Sequence, residues 1–174
     1  TPTGYDMDQI AYVNALKPII SIDLTGKPDS LFADPRTAKL YLSLLMALAY
    51  SLLARYDIAC FVIALQKFLQ QPTYMHVRKL NTVVRWAQKH PMKLHYGFIM
   101  CTRTLEARSD TGFRREADKD GDVDGKATKG VNIIRIGKKT SEGTEVHLLD
   151  VLVGTVKTVV RSTFTAETHG VITG

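Results

Sequence analysis

The sequence predicts an α+β protein, with a three-helix segment followed by an antiparallel β-meander and a further helix. Three observations carry this reading. Residues 35–91 hold apolar side chains at helical spacing, and Pro and polar turns cut them into three pieces. Residues 104–153 change to short runs rich in Val and Ile, bounded by glycine and charged turns. Beyond Arg161, the run Ser162-Thr163-Phe164-Thr165-Ala166-Glu167 reads as a helix start with Ser162 as its N-cap. The expected organisation is an N-terminal arm, 1–34, a helical segment, 35–91, and a sheet-bearing domain, 92–174.

A chain of 174 residues suits one domain, or one domain with a helical appendage, and needs no disulfide or metal to hold it. Its 45% apolar and 23% charged residues are those of an ordinary globular protein. Cys60 and Cys101 are far apart with no CxxC, so two buried thiols in a reducing compartment are expected. The net charge of +6 permits an acidic partner such as nucleic acid without requiring one. The polar N-terminus has no signal-peptide pattern. The apolar run from Leu40 to Ala54 stops at 15 residues. That is short of the roughly 20 a spanning helix needs, so a core helix and no membrane span are expected. The chain opens on Thr1, which suggests a processed protein or a segment of a longer one.

In the arm, Asp8 to Leu16 can form a short helix with Ile10, Val13 and Leu16 on one side. Pro18, Gly26, Pro28 and Pro35 forbid a long element after it. Ile19-Ile20-Ser21-Ile22 either adds a strand or packs on the body. The first main helix spans about Pro35 to Arg55 and is apolar nearly all round through Leu40, Leu44, Leu45, Leu48 and Leu52, which makes it central. The second spans about Asp57 to Gln70, with Asp57 as N-cap and Phe61, Ile63, Ala64, Leu65 and Phe68 buried. The third opens at Pro72-Thr73 and ends at His90-Pro91. Val77, Leu80, Val84 and Ala87 form its apolar face, and Arg78, Arg85 and Lys89 recur at i, i+7 and i+11 as a basic face with Trp86 at its edge.

An extended link over 92–104 leads to a strand at about 104–114 with Asp110 in it. An acidic loop follows (Asp118 to Gly125), then a strand from Gly130 to Gly137 that is buried on both faces, and a strand from Glu145 to Val153. The loop alternates Asp with Gly as a calcium loop does. However, the twelfth position counted from Asp120 is Val131 rather than Glu, so a solvated hairpin loop is expected. The five histidines show no metal-ligand spacing, and no glycine-rich phosphate loop precedes a helix.

Two segments resemble a known family. Arg55-Tyr56-Asp57-Ile58, then Leu69-Gln70-Gln71-Pro72-Thr73-Tyr74-Met75-His76 and a basic helix, is similar to the segment that joins the polymerase and RNase H parts of copia-type retroelement polyproteins. The family's turn reads Arg-Pro-Asp-Ile, so Tyr56 stands where Pro is usual. A strand Asp, two further strands and a helix Glu also form the opening half of an RNase H-like fold. The resemblance covers about Pro35 to Gly174. It implies a polymerase-derived helical segment and, over 92–174, a truncated RNase H-like meander and helix. Asp110 matches the family's first-strand carboxylate, and Glu167 matches the last Glu of its Ser-Thr-Glu-Ala-Glu pattern.

That chemistry cuts RNA in RNA–DNA hybrids with two metal ions held by a carboxylate cluster. The family's later Asp lies beyond Gly174, and two carboxylates do not complete two magnesium shells. Asp110 and Glu167 are therefore expected to be vestigial, with no catalytic residue, metal or cofactor, and the polymerase Tyr-x-Asp-Asp is absent. The expected function is that of a domesticated, non-catalytic module: a structural and RNA-contacting subunit of a larger assembly such as an organellar ribosome. Its partners would be protein subunits and RNA. Arg78, Arg85 and Lys89 are the residues that fit a phosphate backbone, and they fit a solvated helix face equally. The other reading is a segment of an active polyprotein that hydrolyses hybrids, which requires further Asp residues downstream.

Overall fold

Residues 4–20, 24–99, 104–112, 128–141 and 143–155 are described by the computed structural model. Their elements, in chain order, are β1 (Tyr5–Asp8), α1 (Ile10–Ala15), α2 (Pro35–Tyr50), α3 (Ala59–Gln66), α4 (Tyr74–Lys89), β2 (Lys93–Tyr96), β3 (Thr104–Gly112), β4 (Thr128–Thr140) and β5 (Gly143–Thr155). This is an α+β arrangement with two antiparallel sheets, β1-β2 and β3-β4-β5. The chain divides into two units. One is Asp6–His95; the other combines Thr1–Tyr5 with Tyr96–Gly174. The division runs through the β1-β2 ribbon. The acidic loop and the helix expected from Ser162 lie outside the described residues.

The helical unit starts from a cap. Asp34 precedes Pro35, which supplies a fixed φ at the first helical position. The Asp34 carboxylate accepts hydrogen bonds from Arg36 N and Thr37 N at 3.0 Å, from Thr37 Oγ1 at 2.7 Å and from Tyr74 Oη at 2.9 Å. These donors, the Thr37 hydroxyl first, hold its carboxyl well below the usual carboxylate range. α2 then buries Tyr41, Leu44, Leu45 and Leu48. Leu42, Met46 and Tyr50, on the other side, are exposed. Apolar nearly all round in sequence, α2 turns one stripe to the core, and Leu40 lies outside it.

The corner after α2 also differs from expectation. α2 tightens into a 3₁₀ turn at Ser51–Leu53, and a second 3₁₀ turn, Tyr56–Ile58, precedes α3. Asp57 does not cap α3. The N-cap residue is Ile58, with no side-chain bond, because the Asp57 carboxylate is held by Arg55. α3 turns roughly every third residue inward, namely Ala59, Val62 and Leu65. That spacing leaves Phe61 and Ala64 exposed, and Cys60 as well, where burial was expected; Phe68, beyond the end of α3, is also exposed.

α4 follows the predicted periodicity closely. Tyr74, Val77, Leu80, Val84 and Ala87 are buried, and the helix opens after Thr73, whose amide donates to His76 Nδ1 at 3.0 Å. The arm packs on the helices and supplies Val13, Ile19 and Leu24 to the same core. Burying each large aliphatic side chain contributes roughly 1.5–3 kcal/mol. Three polar side chains of α4 fix the arm's backbone. Asn81 donates to Ile19 O at 2.9 Å and accepts from Ile19 N at 2.8 Å, doing for Ile19 what a neighbouring strand would do. Gln88 donates to Val13 O at 3.1 Å and Leu16 O at 2.7 Å. Arg78 donates to Leu24 O and Lys27 O, both at 2.7 Å, and pairs with Asp29.

In the other unit, β3-β4-β5 form the predicted meander. β3 and β4 keep an unbroken register from Thr104↔Ile136 to Gly112↔Thr128. Val131 and Ile134 are an odd number of residues apart, so they face opposite sides of β4, and both are buried. β4 and β5 contain two compensating irregularities, between Ile133 and Ile134 and between Ile136 and Lys139, after which the original register resumes at Lys139↔Thr144. Tyr5 and Tyr96 stack with centroids 5.1 Å apart, and Tyr96 Oη donates to Leu148 O at 2.8 Å. Gly4 allows that approach: its φ is 104°, and a Cβ there would collide with the Tyr96 carbonyl.

Asn81→Leu leaves the buried Ile19 N–H and C=O without partners, at a cost of roughly 2–3 kcal/mol. The Ile19 amide should then exchange hydrogen more than about tenfold faster while the helical circular-dichroism signal persists. Unchanged exchange would mean that apolar contacts alone hold the arm.

Candidate nucleic-acid interface

The candidate surface is the outward side of α4. The inward stripe is fixed by Val77, Leu80, Val84 and Ala87, so Arg78, Thr82, Arg85, Trp86 and Lys89 lie on the opposite arc. Arg85 and Lys89 are one turn apart, about 6 Å along the axis. Both are exposed, and neither makes an ion pair among the described residues. Arg78 is different. Its guanidinium is committed to two arm carbonyls and to Asp29. The expected row of three unpaired cations is reduced to two, because the Arg78 guanidinium already holds two arm carbonyls and the Asp29 carboxylate.

The same arc carries an ordered aromatic pair. The Trp86 and His90 rings stack at 4.6 Å with 28° between planes. His90 Nδ1 lies 2.9 Å from Trp86 O; a carbonyl only accepts, so Nδ1 carries the proton and closes the end of the helix. The Arg55 guanidinium lies 5.8 Å from the indole centroid. Arg55 is itself 2% exposed and fully engaged: Nε and Nη2 each donate to the Asp57 carboxylate at 2.9 Å, and Nη1 donates to Ala87 O at 2.7 Å.

Charge is unevenly divided along the chain. From Asp6 to His95 there are eleven Lys and Arg, six Asp and no Glu, which places +5 of the net +6 in the helical unit. Each of the five described Asp residues there has an internal partner. Asp6 pairs with His95 at 2.6 Å, Asp8 accepts from Ile10 N at 3.0 Å, Asp29 holds Arg78, Asp34 caps α2 and Asp57 holds Arg55. The acids are turned to folding tasks, and Arg85, Lys89 and Lys79 are left without an ion pair among the described residues.

Asp110 lies in β3 opposite Gly130 and is exposed. Its Oδ1 accepts from Thr111 N at 2.8 Å. On the same face of β3, Arg108 pairs with Glu106 at 2.6 Å rather than with Asp110. Glu167 lies outside the described residues. Among the described residues no three His, Cys, Asp or Glu side chains gather as a metal-ligand group, and no helix is long and apolar enough to cross a membrane. Compared with protein-family models, curated proteins and solved structures, the chain matches none.

Sequence reasoning missed Asp29, Asn81 and the Trp86–His90 stack. Asp29 and Asn81 meet partners 49 and 62 residues away, which no local pattern reveals. The stack was readable, since Trp86 and His90 are four residues apart on one helix.

Arg55→Met removes three charge-assisted bonds and leaves the Asp57 carboxylate, 23% exposed, without its partner. The expected loss is about 3 kcal/mol by denaturant titration, near the lower bound for breaking a buried pair because Asp57 keeps some water. A loss below about 1 kcal/mol would show that the pair is not structural.

Proposed function

We propose that the chain is a non-catalytic, retroelement-derived module: a structural, RNA-contacting subunit of a larger assembly of the ribonucleoprotein kind, such as an organellar ribosome. The observation that carries the RNA contact is the outward arc of α4. Two cations one turn apart make no ion pair among the described residues, in a unit whose described carboxylates are all occupied internally. Such a surface attracts a polyanion and positions it through phosphate contacts. The origin rests on the resemblance of Arg55 to His76 and its following helix to the copia-type connecting segment, and on Asp110 standing in the first strand of an antiparallel meander.

That last observation also favours a second reading, an RNase H-like segment that cleaves RNA–DNA hybrids. It needs Glu167 and further Asp residues to join Asp110, and it ranks second because its carboxylate cluster would have to be completed from outside the described residues.

The test is binding of a labelled single-stranded RNA, followed by fluorescence anisotropy across salt concentrations. Arg85→Ala with Lys89→Ala should lower affinity at low salt. It should also reduce the log–log salt slope by about 1.4, at roughly 0.7 per phosphate contact. Arg78→Ala should leave that slope unchanged. An unaltered slope in the double variant would overturn the assignment of these two cations. Magnesium-dependent hybrid cleavage abolished by Asp110→Asn would replace this reading with the second.

A further inference from the structure

We infer that Trp86 and His90 form a stacking platform for an unpaired nucleobase, so that the nucleic acid taken by α4 is single-stranded or looped rather than duplex. This rests on the RNA-contact reading and goes further by naming the form of the ligand.

Phosphate contact alone needs cations and no rings, yet the arc carries a tryptophan that is 44% exposed. Its setting is built rather than incidental. His90 stacks on the indole and is pinned by its bond to Trp86 O, so both ring planes are fixed before any ligand arrives. The buried Arg55 guanidinium within cation–π reach of the indole is fixed in turn by Asp57 and Ala87 O. A platform already ordered avoids most of the entropy lost when mobile side chains are immobilised on binding.

Arg85 and Lys89 lie beside the rings on the same arc, and Lys79 lies two turns back. A base on the rings therefore places its own phosphate and the next within reach of cations. Aromatic rings with flanking cations are the chemistry that holds single strands without reading sequence, because every base has a π-face. Duplex bases are already stacked on one another and offer only edges and phosphates to a helix face, so they gain nothing from the rings.

Trp86 is the only tryptophan of the chain, so intrinsic fluorescence reports this site directly. The full chain is titrated with three probes of equal phosphate number: an oligoadenylate, an abasic oligonucleotide and a blunt RNA duplex. The oligoadenylate is expected to quench Trp86 and to bind about tenfold more tightly than the abasic strand. The duplex should bind with salt sensitivity and leave the fluorescence unchanged. Trp86→Leu should abolish the preference for bases, read by anisotropy, while keeping the affinity for the abasic strand. His90→Ala, which leaves the core untouched, should weaken the preference partially.

Equal binding and equal quenching by abasic and base-bearing strands would overturn the stacking inference and leave the RNA-contact reading standing. Binding of none of the three would overturn both. Quenching by polyglutamate equal to that by oligoadenylate would make the arc a general acidic-partner surface and overturn the inference.

Discussion

The helical unit depends on one buried cation. Arg55 stands at the corner between α2 and α3, and its three donors reach Asp57 beside it and the Ala87 carbonyl near the end of α4. Removing a guanidinium from water costs several kcal/mol, and attraction to one carboxylate repays that only when geometry is good and the remaining protons are satisfied. Here the planar fork meets Asp57 through two parallel bonds and the third contact falls on a helix carbonyl. A lysine could not make the bidentate pair. The interaction therefore has structural consequences beyond its own energy. It sets the corner, ties that corner to α4 across 32 residues of sequence, and places a cation near the indole that the surface presents.

The same residue explains where the sequence was readable and where it was not. In sequence, Arg55 and Asp57 look like the polar end of one helix and the cap of the next, because local pattern favours Asp as an N-cap. The bond to Ala87 is what ties Arg55 to α4, and no periodicity reports a contact of that span. α4 was legible from end to end because its burial pattern is carried by its own residues, Val77, Leu80, Val84 and Ala87, between a proline turn and His90-Pro91. The meander was legible for a similar reason: Val131 and Ile134 are β-formers that can be buried on both faces only in a paired strand. α3 misled because a short, strongly apolar helix contains no polar face from which to infer direction. Its inward stripe is Ala59, Val62 and Leu65, and Phe61 and Cys60 lie outside it. Of the two carboxylates that the resemblance marks, Asp110 sits in the expected strand and Glu167 lies outside the described residues.

Charge in the helical unit follows from the same economy of contacts. A cap needs an acceptor, and a buried guanidinium needs a counter-charge, so folding fixes where the acids go. Asp34 caps α2, Asp8 accepts from the Ile10 amide at the start of α1, Asp29 and Asp57 hold arginines, and Asp6 pairs with His95. Nothing in the packing calls for a matching number of cations, yet the unit has eleven. The excess stands on the surface as field rather than as bonds, and in a cell that field is felt chiefly by polyanions within about a Debye length, ~8 Å.

Arg78 and Arg85 show how position decides what an identical side chain does. They are seven residues apart, so they sit on the same side of α4, and a helical wheel gives them one role. The arm separates them. Around Arg78 it presents the carbonyls of Leu24 and Lys27 and the carboxylate of Asp29, and three of the guanidinium's donors are used there. Two turns on, the arm has passed behind α4 to meet Asn81 and Gln88, and Arg85 faces water with Trp86 beside it. One end of the outward arc is thereby turned into a fastening for the arm, and the other is left as a cationic surface around fixed rings. The boundary between the two is set by where the arm runs, which is why a basic stripe read from sequence splits into a structural half and an accessible half.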